Sequence, residues 1–217
     1  MPVTSPVNNT TNAAVAELNC AFCSLCGVLN SSNYGGLVQF FFGTVFPQNP
    51  ITLNRVRDAF WNYWESEQGL AHDATKSLER QVAGVAWFLS HIVPTGRNVT
   101  VDQGGSTDSP LSFNDADTFM NTYPQGTRFA YLIGEWNDDF NQFTNAHWLT
   151  AETTAHGIQY TDYQMDVAVG VRQAVADSVH VAADQLAAPH VTAAPRRPWG
   201  AAVGADDRAI VIAYLPY

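Results

Sequence analysis

The sequence predicts an α+β fold, with helices in its first half and an antiparallel sheet in its second. Apolar residues recur at helical spacing along 73–92, where Leu78, Val82, Val85, Ala86 and Leu89 make one stripe. They alternate with period two along 146–153 and 157–164. Helices that precede strands, rather than interleaving with them, point to α+β and not to a parallel α/β sheet. The chain of 217 residues is 46% hydrophobic, with 12 Phe, 8 Tyr and 6 Trp, which is enough for one packed core. Residues 1–12, "MPVTSPVNNTTN", are polar and rich in Thr, Asn and Pro, and are expected to be a flexible N-terminus. A single domain is expected over 13–217.

Taken in order, residues 13–29 read as one helix, or as a short helix followed by a second. "SSNYGG" (31–36) interrupts them with Ser, Asn and Gly. The stretch 37–46, "LVQFFFGTVF", fits either a strand or a buried helix. Asn54 can cap a helix that carries Val56, Phe60, Tyr63 and Trp64. The helix over 73–92 is followed by a loop over 94–110 around a possible short strand. "SFNDADTFMNTYP" (112–124) reads as a short capped helix ended by Pro124. Residues 126–136 read as a strand, and "NDDFNQFTN" as a polar loop. The two alternating stretches then suggest an antiparallel meander. Residues 166–187 are Ala/Val-rich and read as a helix, 189–207 as a Pro/Gly/Ala linker, and 208–216 as a final strand.

The formal charge of -10, with only ten Lys and Arg spread thinly, argues against a nucleic-acid partner. The Arg196–Arg197 pair lies among prolines and reads as solvated loop. No apolar run approaches the length that crosses a bilayer, so no membrane insertion is expected. The first residues lack the basic and apolar regions of a Sec signal, so secretion by a dedicated system, or delivery into a target-cell cytoplasm, is expected.

All three cysteines fall in "AELNCAFCSLCGVLN" (16–30), at positions 20, 23 and 26. An iron–sulfur or zinc site would need a fourth ligand, and no histidine lies at suitable spacing, so no metal or other cofactor is predicted. Spacing of three places Cys23 and Cys26 among Phe22, Leu25 and Leu29 as helix-packing residues. Cys20 differs, because Asn19 is a good N-cap and a helix could begin at the thiol. A thiol in a first helical turn faces free N–H groups and the positive end of the macrodipole. These favour thiolate and could hold an oxyanion.

A catalytic thiol needs a base, and the base an orienting group. Among six histidines, His147 opens a strand whose same face carries Leu149 and Ala151. The next strand carries Asp162 on the side of Ile158, Tyr160 and Gln164. Pairing through a turn at 154–156 sets His147 opposite about residue 163, one position from both Asp162 and Gln164. A carboxylate there can fix the imidazole tautomer.

A helix-borne Cys, a strand with His and a strand with Asp follow the chain order of papain-like enzymes. The chain resembles, more narrowly, the papain-fold toxin domains of bacterial polymorphic and secreted toxins, some of which are glutamine deamidases. The resemblance rests on "LNCAFC" (18–23), "NAHWLTA" (145–151) and "IQYTDYQ" (158–164). Ala146 and Tyr163 stand where the family usually has Gly. The resemblance implies a papain-like fold with core elements at 18–30 and 126–165, and with 166–217 as an addition. It implies Cys20, His147 and Asp162 as a catalytic triad, with Asn19, Gln164 and Trp148 as oxyanion or substrate-positioning residues. Cys20 would attack a glutamine carboxamide of a target protein, and water would release glutamate. An immunity protein or chaperone is the further partner implied. The same triad also serves a protease, a peptidoglycan amidase or a transglutaminase. A non-catalytic binding protein with buried cysteines is the alternative of a different class.

Overall fold

The structure, a computed structural model, describes residues 20–29, 38–40, 78–94, 97–162, 190–192 and 204–217; at 23, 26, 38–40, 94, 145, 162 and 190–192 it describes the backbone alone. In chain order these hold α1 (Cys20–Leu29), β1 (Val38–Phe40), α2 (Leu78–His91), β2 (Ile92–Pro94), β3 (Val99–Gly104), β4 (Leu111–Ser112), α3 (Phe113–Asn121), β5 (Arg128–Asn137), β6 (Gln142–Thr154), β7 (Gly157–Asp162), β8 (His190–Thr192) and β9 (Asp207–Pro216). The helices expected from Asn54 and over 166–187 lie outside the described residues.

Six strands form one antiparallel sheet in the order β3-β9-β5-β6-β7-β8, with β4 also paired to β9. A separate pair, β1 and β2, completes the described strands. The α+β class with an antiparallel sheet therefore stands.

The sheet is apolar on both faces because its central strands are. Every residue from Arg128 to Gly134 in β5, and from Ala209 to Tyr214 in β9, is buried. On one face, Ala130, Leu132, Trp148, Ile210, Ile212 and Tyr214 meet α1 and α2. On the other, Phe129, Tyr131, Ile133, Leu149, Ala151, Tyr160 and Val211 meet Ala116 and Met120 of α3. Odd and even positions of β5, β6 and β9 thus feed two separate cores.

Local signals set the helices. Ser112 caps α3, accepting from the Asp115 backbone N–H at 3.2 Å while its hydroxyl donates to the Asp115 carboxylate at 2.6 Å. The predicted stripe of α2 is buried at Val82, Val85 and Leu89. Tyr214 ties the end of that helix to the sheet by donating to the Ile92 carbonyl at 2.7 Å.

Three expectations change. The stretch 137–145 is not all loop, because β6 already begins at Gln142; the turn is confined to 138–141, with Asn141 at φ 48. Such a φ suits Asn, whose short polar side chain tolerates the left-handed region. The expected linker holds β8, which adds a strand to the sheet beside β7. Finally, β9 joins the sheet as an interior strand, paired on one side with β3 and on the other with β5.

Candidate active site

The predicted hairpin of β6 and β7 is present. It closes through Ala155 and His156, and Gly157 takes φ 104, a conformation that favours glycine. Thr154 braces the turn by donating to the Gly157 carbonyl at 2.7 Å. The register pairs Thr150 with Thr161 and Ala151 with Tyr160, one residue away from the expected pairing. That register still gives His147 and Asp162 backbone positions on one face, since Tyr160 pairs with Ala151 and both enter the core under α3. The two are diagonal neighbours on adjacent strands, a spacing long side chains bridge.

His147 is 5% exposed and lies directly opposite Ile133, a member of the α3-side core. The imidazole position therefore belongs to the α3 face.

Cys20 belongs to the other face. It is the first residue of α1 as described, is a free thiol and is 8% exposed within the core that holds Trp148. Asn19 lies outside the described residues, so the predicted cap does too. Two side chains stitch α1 to β6: Ser24 Oγ donates to the Leu149 carbonyl, and Thr150 Oγ1 donates to the Ser24 carbonyl at 3.1 Å. Further along, Arg128 Nη1 donates to the Gly27 carbonyl, while Arg128 Nε holds Glu152 at 2.8 Å. The helix therefore runs in the same direction as β6. Cys20, one helical turn before Ser24, comes level with residues 147–148 of the strand.

The expected triad residues are brought together only in part. His147 and Asp162 share a face, but Cys20 reaches the same end of β6 on the opposite face, with the sheet between thiol and imidazole. In this arrangement the thiol and the imidazole are not adjacent. Trp148, beside His147 in sequence, alternates to the α1 face and packs there at 1% exposure. Its place in that core fits packing, not shielding of His147. Gln164 lies outside the described residues.

The face that carries His147 holds further polar groups that sequence reasoning passed over. Tyr131 and Tyr160 are fully or almost fully buried, with ring centres 5.2 Å apart and planes at 74°. Burial raises the Tyr131 phenol above its ordinary value, with Asp117 and then Asp207 adding to the effect. Burial also raises Tyr160, followed by Tyr131 and Asp117. The available signal was period two: Tyr160 alternates in step with Asp162. An open acidic depression at the β5–β6 turn, lined by Glu135, Trp136, Asn137, Asp138, Asp139 and Thr144, includes none of the predicted site residues.

Comparison of the chain with protein-family models, with curated proteins and with solved structures found no match.

Proposed function

We propose that this protein is a papain-like, cysteine-dependent amide hydrolase of the secreted-toxin type, acting on a glutamine side chain of a target protein. The observation that carries the reading is the pairing of the His147 strand with the Asp162 strand, in a register that gives both residues one face. Support also comes from α1, whose Cys20 end reaches the same end of β6. In the reaction, the Cys20 sulfur bonds to the carboxamide carbon. His147 takes the thiol proton and passes it to the departing ammonia. Water then cleaves the thioester, leaving a carboxylate and the restored thiol. Asp162 keeps the imidazole oriented. The chemistry requires Cys20 and His147 on one face, an arrangement that differs from the one described above.

A second reading, a non-catalytic binding protein, is favoured by the burial of Cys20 across the sheet from His147. Cytosolic expression of wild type, Cys20→Ala and His147→Ala separates the two. The hydrolase reading expects a toxic wild type and two harmless variants, with a gain of one acidic group per modified glutamine in the intact mass of the target. Equal toxicity of all three chains, or a harmless wild type, overturns it.

A further inference from the structure

Tyr131 and Tyr160 pose a problem of their own, independent of the hydrolase reading. Neither phenolic oxygen finds a hydrogen-bond partner among the described residues, although Tyr131 is wholly buried and Tyr160 2% exposed. An unpaired hydroxyl in an apolar layer is costly, and here two rings in edge contact each carry one. The third polar group at this place is on α3. Phe113 packs against Tyr160, with ring centres 6.5 Å apart, and Asp117 follows it by one helical turn on the same side of the helix. Asn121 Nδ2 donates to Asp117 Oδ2 at 3.2 Å, which leaves Oδ1 to accept from elsewhere.

Two O–H donors and one carboxylate acceptor complement a molecule that accepts twice and donates at least once. An anion is disfavoured by Asp117, and a cation finds no use for the two O–H groups as donors. Water has the required donor and acceptor set in the smallest volume, and buried waters typically make about three such bonds. We infer that one internal water is bound between Tyr131, Tyr160 and Asp117, accepting both phenolic protons and donating to the carboxylate. It fastens α3 to β5 and β7 at a point where the direct contacts are otherwise apolar.

Removal of either hydroxyl tests this, because the sign of the effect differs between the two cases. A bridged phenol loses a bond on replacement. A merely unpaired one loses a penalty. With the water in place, Tyr131→Phe and Tyr160→Phe each lower the melting temperature by about 2–4 °C, and the double variant by less than the two together. Unchanged or raised melting temperatures in both single variants overturn the inference. A crystal structure of the unmodified full chain gives a readout that does not depend on variants folding. Density for a water about 2.6–3.0 Å from both phenolic oxygens is expected, and its absence from an ordered α3 layer overturns the site.

Discussion

Ile133 and His147 stand directly opposite each other across β5 and β6, and that pairing turns His147 away from Cys20. The thiol and the imidazole are therefore uncoupled in the free protein. His147→Ala is expected to leave the rate of Cys20 alkylation within about twofold of wild type, as for sites that share no partners. Mass spectrometry of the labelled peptides distinguishes Cys20 from Cys23 and Cys26. A drop of about tenfold or more in the variant would mean that thiol and imidazole meet without substrate, and the separation by the sheet would be wrong.

The reason this separation was not legible in the sequence lies in β5 and β9. Alternation identifies which residues of a strand share a face, and it grouped Leu149 with Ala151, and Ile158 with Tyr160, as the core has them. It names the face that receives a given helix only when one face is polar. Here "RFAYLIG" and "AIVIAY" are apolar at odd and even positions alike, so α1 could have docked on either side. Helices with a local signature were read well: Ser112 and Asp115 give a capping pair, and the stripe of α2 is periodic. β9 was recognised as a strand, but its interior place was not, because its partners in β3 and β5 are remote in sequence. The phenols were hidden for a related reason, since the three-residue clustering of Tyr131, Tyr160 and Asp117 exists only after α3 lies on the sheet.

Arg128 is expected to be the most sensitive polar residue in the helix–sheet junction. Its Nη1 satisfies the Gly27 carbonyl near the end of α1, while its Nε holds Glu152. A cation at a helix C-terminus complements the macrodipole. The guanidinium side is 9% exposed and the carboxylate side 29%. Arg128→Ala, which abandons a buried carbonyl and a carboxylate together, is expected to cost about 3 kcal/mol. Glu152→Gln keeps an acceptor at a wetter site and should cost less than about 1 kcal/mol. Urea denaturation measures both; equal losses would show that the clamp on Gly27 contributes nothing beyond the ion pair.

Gly134 is required by space at the bulge of β5 and β6. The pairing shifts between Ile133 and Glu135 there. A Cβ on Gly134 would lie 2.8 Å from Phe143 Cδ1 and 3.1 Å from Ala146 Cα. The ring can swing aside, whereas Ala146 Cα is backbone, set in the bulge between the paired residues Thr144 and His147. Gly134→Ala is expected to cost about 1–3 kcal/mol, read as a lower urea midpoint at an unchanged slope. Phe143→Ala should recover only part of that loss in the double variant, because it leaves the backbone contact in place. Full recovery would assign the whole effect to the ring.

The buried phenols make stability fall at alkaline pH. Burial raises both Tyr131 and Tyr160 above the ordinary 10.0, so folding favours their neutral forms. Their contribution is complete below the pKa of the unfolded phenol and is lost as pH rises above it, because the unfolded chain then releases protons that the native state retains. From about pH 10 upward, each phenol is expected to remove about 1.4 kcal/mol per pH unit, and the pair about twice that. Tyr123 is raised as well, by burial and then by its bond to Asp102, but it is more exposed and should add less. Unfolding followed between pH 9 and pH 11, a span of about two units around the ordinary phenol value, measures the slope. Tyr131→Phe and Tyr160→Phe should each flatten it by one proton's worth, whatever their effect on stability at neutral pH. Native phenols that ionise with an ordinary tyrosine midpoint, seen by tyrosinate absorbance before any loss of helix signal, would mean that α3 does not seal them from water.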